Sequence, residues 1–373
     1  MRKSLLSLGI LCSIGLTLLQ AQDPSFSQFY ANRIYLNPAF TGLESGLTVG
    51  AVSRMQWLTV DGGFRTYGFT LELQEPHLSS GIGLSLFRDQ QGLADLETTS
   101  IGLSYAYIIP FDRHNIHIGI QGHYVQRTID WTNITFSDQL DPLYGAIYPT
   151  AAVPILDRVA FTDFDFGFVW RFDSDINLGK KRFKDARHSL GMSLHHAPSL
   201  FNPDNGNESF QNLDTRVSPR LTVHMGSVIP IWFFSNGKKN ISISPNFKYD
   251  IQGDQLLRAR QNLVVTTLGC YLIYDGVYVG ALYQNKQPAA GVEHTNALIL
   301  AVGTFIEPKT KARTKKNQMF IGLSYDANAT GVGARAGGVL ELAFRWNFSD
   351  APGLLGGKKG RSSKRAMDCH KFF

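Results

Sequence analysis

Histidine residues are the first candidates for chemistry in this sequence, and their spacing argues against a shared metal site. His195 and His196 are adjacent in a segment of strand-like alternation, so we expect their side chains to point to opposite faces of a sheet. His117 and His123 share a face, but the strand between them separates them by about 20 Å. Neither pair is therefore expected to ligate a metal ion.

Several charged residues alternate with aromatic ones, a pattern that favours ion pairing inside a sheet structure over catalysis. The sequence contains no GxSxG, HExxH, P-loop or CxxC motif. We therefore expect no enzymatic activity, no cofactor and no metal. The residues expected to form an interior polar network are Asp163, Asp165, Arg171, Glu341 and Arg345.

The elements that must position these residues are β-strands, because hydrophobicity alternates with a period of two. Residues 163–172, DFDFGFVWRF, place aromatic side chains on one face and polar or small ones on the other. Segments 101–109 and 338–348 repeat this pattern. Each segment therefore has one apolar face and one polar or small face.

About fourteen such segments occur, with boundaries uncertain by about 2–4 residues. An even number of strands about ten residues long, with Gly, Ser and Thr opposite the apolar face, is typical of outer-membrane barrels. A sheet in lipid must close, because an open edge leaves peptide groups unpaired. The predicted fold class is all-β, a transmembrane antiparallel up-and-down β-barrel of about 14 strands; a soluble β-sandwich or propeller is the alternative. The predicted strands are 47–59, 65–74, 81–90, 96–110, 115–128, 162–172, 187–197, 217–231, 240–251, 261–272, 276–284, 295–306, 318–327 and 336–348.

Composition excludes other classes of protein. The chain has 373 residues, 43% hydrophobic and 18% charged, and its mean hydropathy of -0.09 excludes a helical membrane bundle. The apolar and aromatic content is sufficient for a core, which argues against disorder. The balance of 36 basic against 30 acidic residues is too weak to indicate nucleic-acid binding.

The N-terminus has the pattern of a secretory signal peptide. Arg2 and Lys3 precede an apolar run from Leu5 to Leu19, and Ala21 is a small residue at the expected cleavage point. The predicted domains are the signal peptide 1–21, an N-terminal periplasmic segment 22–46, an outer-membrane barrel 47–348 and a basic C-terminal tail 349–373. The remaining cysteines, Cys270 and Cys369, do not suggest a disulfide framework.

The segment before the first strand carries a more specific motif. Residues 35–42, YLNPAFTG, resemble the hallmark of the PorP/SprF family of Bacteroidetes outer-membrane proteins, which are associated with the type IX secretion system. Residues 53–57, 81–92, 191–198, 324–328 and 337–346 resemble further family motifs, although Ser53 replaces a frequent tyrosine. The family-motif residues are Tyr35, Leu36, Asn37, Pro38, Ala39, Phe40, Gly42, Arg54, Gln56, Trp57 and Glu341.

This resemblance implies a component of type IX secretion in the outer membrane. It would help to deliver or anchor a specific secreted surface protein, such as a gliding adhesin. The implied partners are that secreted substrate or adhesin, other secretion-system envelope proteins and outer-membrane lipid, with no nucleic acid. A porin-like channel for small solutes is the alternative function.

The motif can also be interpreted from its backbone chemistry. Asn37 before Pro38 is biased away from the helical region, Pro38 fixes its own φ, and Gly42 permits a turn. We therefore expect a rigid elbow outside any strand. It would serve either as a plug or docking strap leading into the barrel, or as a cap over its periplasmic mouth.

The connections differ in character between the two ends of the predicted barrel. With a periplasmic N-terminus, the long connections 129–161 and 198–216 lie outside the cell and contain several aromatic residues. The basic connections 173–186 and 307–317 and the tail then face the periplasm. The outer loops are candidates for contacts with protein or glycan.

Processing of the leader is the first testable prediction. We expect cleavage after Ala21 and a mature N-terminus at Gln22 without lipid, because Leu11 before Cys12 is larger than the residue that lipid attachment requires. Intact-mass measurement of the purified protein checks this. A diacylglyceryl group on Cys12 would contradict it.

Overall fold

The computed structural model describes most of the chain at the level of individual residues. The described residues are 23–150, 156–178, 181–201, 217–233, 240–253, 256, 262–287, 295–307, 317–329, 335–349 and 351–354. No helix within these ranges is long and apolar enough to cross a membrane.

Fourteen antiparallel strands form one closed barrel, and this confirms the predicted fold class. Each strand pairs with its neighbour in the chain, and β14 closes on β1 over the whole length from Leu47↔Phe348 to Gln56↔Val339. The strands are β1 Leu47–Gln56, β2 Phe64–Glu75, β3 Ser80–Gln91, β4 Leu96–Pro110, β5 His114–Thr128, β6 Arg158–Leu178, β7 Lys181–His195, β8 Arg220–Phe233, β9 Asn240–Gln252, β10 Leu263–Tyr274, β11 Val277–Gln287, β12 Thr295–Ile306, β13 Gln318–Asn328 and β14 Val339–Phe348.

The other regular elements in the described ranges are short. Helix α1, Arg33–Leu36, and the 3₁₀ turn Pro38–Phe40 precede the barrel, and α2, Pro198–Phe201, follows β7. The connection between β5 and β6 contains two further 3₁₀ turns and a small separate hairpin, Leu140–Asp141 paired with Gly145–Ala146. The first strand ends earlier than predicted because Trp57 adopts a φ of 62°, which breaks the extended backbone.

The outward face of the barrel is apolar, as β6 illustrates. Phe166 and Phe168 are 45% and 41% exposed, whereas Val169 between Phe168 and the next aromatic residue is fully buried. The charged residues predicted to face the interior are buried, which confirms that assignment: Asp163, Asp165, Arg171, Glu341 and Arg345. An exposed aromatic belt over a polar interior is the arrangement that lipid requires of a barrel.

Residues 23–46, called the plug below, lie inside the barrel. A Cβ added to Gly119 of β5 would lie 2.4 Å from the Ala39 nitrogen, and one added to Gly167 of β6 would lie 2.1 Å from Asn37 Oδ1. Only glycine permits so close an approach between plug and wall. The sequence predicted a periplasmic segment here, but the described contacts are those of a segment within the lumen.

The plug runs along the lumen from one end of the barrel to the other. Connections 129–157 and 196–219 define a long-loop end, and 76–79, 111–113 and 275–276 a short-turn end. Asp23 pairs with His196 and Arg220 at the long-loop end. The Gly46 carbonyl accepts from the Gln74 amide near the short-turn end. The 24 residues of the plug therefore connect the two ends.

The lipid-facing assignment can be tested at Phe168, which pairs with Ile118 and Met192 in the middle of the sheet. Phe168→Arg should lower the free energy of unfolding by about 2–4 kcal/mol, because the charge enters the bilayer midplane. Urea titration of barrels folded into lipid vesicles measures this. The matched control is Phe201→Arg in α2, where the side chain is 83% exposed and the change should stay within about 0.5 kcal/mol. Equal effects at the two positions would contradict the assignment.

Candidate functional site

An apolar core joins the plug to the barrel wall. Plug residues at its centre, such as Phe40, are 0–5% exposed, and they pack against inward-facing residues of the wall. Closely packed side chains of the plug and the wall therefore occupy this part of the lumen. The cluster comprises Phe29, Tyr30, Leu36, Ala39, Phe40 and Leu43 of the plug with Val169, Tyr271, Ile273, Tyr278, Leu282, Ile299, Ala301, Phe320 and Ala343 of the wall.

The Asn37-Pro38 pair forms the elbow expected from the sequence. Asn37 is extended and caps the 3₁₀ turn, since its Oδ1 accepts from the Ala39 amide at 3.0 Å. Its Nδ2 donates to the carbonyl oxygens of Phe168 and Met192, both at 3.1 Å. Asn37 therefore binds its own turn and two adjacent wall strands at once, which an aliphatic side chain could not do.

Gly42 allows the plug to turn against the wall. Its φ is +66°, and an added Cβ would lie 2.5 Å from the Gly81 Cα. Its amide donates to Glu72 Oε2 at 3.1 Å. Both the backbone conformation and the lack of space require glycine at this position.

Glu341 anchors the start of the plug. Its two carboxylate oxygens accept from the backbone amides of Ser27 and Gln28, each at 2.8 Å. Arg54 lies opposite Glu341 in the β1–β14 pairing and donates to it at 3.1 Å and to Asp326 at 3.4 Å. All three charged side chains are at most 4% exposed. The barrel seam and the plug are therefore held by one buried ionic network.

A second buried ion cluster lies nearer the short-turn end. Glu44 of the plug is 3.0 Å from Arg33 and 3.4 Å from Arg345 of β14. Burial alone would raise the pKa of Glu44, but the charges of Arg33 and Arg345 outweigh it and lower the pKa. Glu44 therefore stays ionised and ties the plug to the wall.

A cavity of about 140 Å³, called the vestibule below, lies at the long-loop end beside the plug. Asp23, Pro24 and Tyr35 of the plug form part of its lining. The rest comes from the ends of β2 to β8 and their neighbourhood: Thr66, Phe87, Asp89, Gln91, Thr98, Ser100, Gln121, His123, Val125, Arg127, Phe161, Asp163, Asp165, His195, His196, Val217 and Arg220.

Histidines and carboxylates pair with one another in the vestibule. Asp165 Oδ2 is 2.9 Å from both His123 Nε2 and His195 Nδ1. His196 contacts Asp163 through Nδ1 and Asp23 through Nε2, the latter at 2.8 Å. Within the described ranges, no group of three or more His, Cys, Asp or Glu side chains is arranged to hold a metal ion.

The expectation that His195 and His196 point to opposite faces is wrong. The strand ends at His195, and His196 adopts a φ of 57°, which turns its side chain back toward the lumen. Burial would lower the pKa of His196, but the carboxylates of Asp23 and Asp163 raise it well above its usual value. Burial likewise acts to raise the pKa of Asp23, yet the charges of His196 and Arg220 lower it strongly.

The structure brings most of the family-motif residues together. Tyr35, Leu36, Asn37, Pro38, Ala39, Phe40 and Gly42 lie in the plug, with Arg54 and Glu341 at its anchor. Gln56 and Trp57 lie apart, at the long-loop end of β1, where Trp57 packs on Phe64 with ring centroids 4.5 Å apart. Sequence reasoning missed the anchoring residues Asp23, Ser27, Gln28, Arg33, Glu44 and Asp326. The sequence did contain one indication of these anchors, because the charged residues Arg33 and Glu44 lie within an otherwise aromatic and apolar segment.

The fold and its contents define a class of protein: a closed β-barrel with an apolar lipid-facing belt and an N-terminal plug. The family model of the type IX secretion system membrane protein PorP/SprF matches residues 18–346, and the chain belongs to that family. It is an outer-membrane component of type IX secretion, and family membership implies interaction with other components of the system.

Comparison with individual proteins finds only solved structures of low sequence identity. No curated protein matches the chain. A FadL homologue from Pseudomonas aeruginosa is 12% identical, with a TM-score of 0.34, over 80% of this chain and 88% of that one. CdiB from Acinetobacter baumannii is 6% identical, with a TM-score of 0.39, over 81% and 60%. The toluene transporter TodX from P. putida is 9% identical, with a TM-score of 0.35, over 83% and 92%.

The plug anchor can be tested with Glu341→Ala. Removing this carboxylate leaves the Ser27 and Gln28 amides and Arg54 with fewer partners in a buried site, so the free energy of unfolding should fall by about 3–5 kcal/mol. Urea titration in detergent measures the loss, and limited proteolysis near residue 27 should become faster. Glu97→Ala, which removes the more exposed Arg88–Glu97 pair, should cost no more than about 1 kcal/mol. Equal stability losses would show that the anchor is not needed.

Proposed function

We propose that this barrel helps to deliver or anchor one specific secreted surface protein, such as a gliding adhesin, and acts without catalysing a reaction. The observation that carries the proposal is the filled lumen. Aromatic and aliphatic side chains of the plug pack directly on the wall in the middle of the barrel. A barrel filled in this way is better suited to binding a partner protein on its surface than to passing solutes through its lumen.

The long-loop end offers the surfaces for a partner. Outer-membrane barrels usually carry their longer loops on the extracellular side, which supports placing this end outside the cell. Leu143 and Tyr144 in connection 129–157 are 86% and 76% exposed, and Phe201 after β7 is 83% exposed. Exposed aromatic and aliphatic side chains of this size are typical of binding surfaces. Much of the other predicted contact loop, 198–216, lies outside the described residues.

The described residues of the 129–157 loop, 129–150 and 156–157, are held by hydrogen bonds of their own side chains. Asp141 Oδ1 accepts from the amides of Leu143 and Tyr144 at 2.8 and 3.0 Å. The Tyr148 hydroxyl donates to Asp141 Oδ2 at 3.0 Å, and Trp131 Nε1 donates to the Leu156 carbonyl at 3.2 Å. A loop held by such bonds loses less conformational entropy on binding. This supports a dedicated contact surface.

The proposed absence of catalysis is supported by the way the vestibule uses its reactive groups. Asp165 is shared between His123 and His195, and His196 lies between two carboxylates. These side chains hold the wall and the plug together. A general base, by contrast, needs a lone pair directed at a substrate.

A porin-like channel is the second candidate, favoured by the vestibule itself. Its cavity of about 140 Å³ could hold a small solute. Conduction would additionally require the plug to leave the lumen, against the buried contacts of Glu341 and Glu44. The two candidates therefore predict different behaviour of the intact barrel.

Loop exchange separates these candidates. Replacing residues 131–155 and 199–216 with short Gly-Ser turns should leave the barrel folded and general type IX secretion intact, because both segments lie outside the barrel strands. The surface abundance of one or a few secreted proteins should fall. Quantitative surface proteomics measures this, with the same exchange at the short-turn connection 111–113 as control. An unchanged surface proteome together with altered solute permeability of liposomes would support the porin and contradict our proposal.

A further inference from the structure

One carboxylate of the vestibule, that of Asp89, accepts hydrogen bonds only from neutral donors in the described part of the chain. Asp89 is 7% exposed, and its oxygens accept from the Thr66 hydroxyl and the Gln91 amide group. Neither donor carries a charge. A buried carboxylate whose hydrogen bonds come only from neutral donors is costly to ionise, and an incoming cation bonded to it would reduce that cost.

The other carboxylates of the cavity already have partners. Asp23 pairs with Arg220 at 3.0 Å and with His196. His196 also pairs with Asp163. Asp165 is bonded to both His123 and His195. Asp89 therefore differs from the remaining three in having only neutral donors.

The uncharged lining also suits an organic cation. Three aromatic side chains line the cavity: Phe87, Tyr35 and Phe161. The ring centroids of Tyr35 and Phe87 are 5.2 Å apart. Gln91 and Gln121 each carry an amide oxygen able to accept a hydrogen bond. Aromatic rings beside a carboxylate are a favourable environment for an ammonium or guanidinium group.

Arg127 shares this cavity and must be included in the balance of charge. Arg127 lies on β5, two strands from β3, and its charge acts on both Asp23 and Asp89. It has interactions of its own and is not a free cation. The lining places four carboxylates beside the guanidinium groups of Arg127 and Arg220 and the imidazoles of His123, His195 and His196. Among these carboxylates, Asp89 has no charged hydrogen-bond donor in the described part of the chain.

The loop beside the cavity has the same sign of charge. Connection 129–157 joins β5 and β6, both of which line the vestibule. It contains Asp130, Asp138, Asp141 and Asp157, and no Lys, Arg or His. A basic partner surface would therefore be attracted to this loop before it reaches the cavity.

We propose that the vestibule binds one lysine or arginine side chain presented by a protein docked on the long-loop end. The cationic group meets the Asp89 carboxylate, and its aliphatic stem lies along Phe87 and Tyr35. This inference rests on the proposed function, because it names the chemistry by which the secreted partner is recognised. A buried charge pair of this kind contributes specificity as well as affinity.

The test uses a matched pair of small probes on the purified full-length barrel in detergent. N-acetyl-L-arginine amide carries the guanidinium, and N-acetyl-L-citrulline amide has nearly the same shape without the charge. Ligand-detected NMR titration should show the arginine probe binding about tenfold more tightly than the citrulline probe, because the neutral group makes no charge-assisted bond. Raising the salt concentration should weaken only the arginine probe.

Two variants assign that binding to Asp89. Asp89→Asn should reduce affinity for the arginine probe about tenfold and leave the citrulline probe unchanged. Asp112→Asn, an exposed carboxylate in the short-turn connection 111–113, should change neither. Heat-modifiable gel mobility confirms folding of both variants. If Asp89→Asn does not fold, the two probes on the unmodified barrel still decide.

Three results with the arginine and citrulline probes would overturn the inference. They are no binding of the arginine probe up to about 10 mM, equal affinities for the two probes, or an arginine affinity unaffected by a folded Asp89→Asn variant. Binding of glucose in preference to the arginine probe would indicate a carbohydrate site and also overturn it. The proposed function fails separately, through an unchanged surface proteome after loop exchange.

Discussion

The buried contact between Glu341 and the start of the plug is the interaction on which this structure depends most. The Glu341 carboxylate accepts hydrogen bonds from the backbone amides of Ser27 and Gln28. It also pairs with Arg54 across the seam where the last strand meets the first. A strand seam in lipid must be fully paired, and a buried charge must be neutralised. The same residue meets both demands, so barrel closure and plug docking are coupled.

Filling the lumen has a consequence for the residues that line it. Several wall positions beside the middle of the plug are small or apolar, as at Gly119, Gly167 and Val169. Toward the long-loop end the plug leaves space, and the wall becomes rich in carboxylates and histidines around the vestibule. The open space of the lumen beside the plug is therefore polar and lies at the end that carries the exposed loop 129–157.

Much of this architecture could be predicted from the sequence because strands in lipid leave a strong periodic pattern. The alternation in 163–172 correctly separated outward Phe166 and Phe168 from inward Asp165 and Arg171. The position of the plug could not be predicted in the same way, because its contacts depend on wall residues far away in the chain, such as Glu341 opposite Ser27. Local geometry limited the histidine prediction too: a single residue with positive φ, His196, reversed the direction expected from strand alternation.

The central claim, that the plug occupies the lumen while the barrel functions, can be tested by cross-linking plug to wall. The Thr41 and Ser104 hydroxyl oxygens lie 2.9 Å apart, so Thr41→Cys with Ser104→Cys places two thiols within reach of a disulfide. In intact cells whose barrel also carries Cys270→Ser and Cys369→Ser, we expect the disulfide to form fully and surface delivery of the secreted partner to continue. Absence of the disulfide, or loss of delivery that a reductant restores, would show that the plug must leave the lumen and would contradict the account.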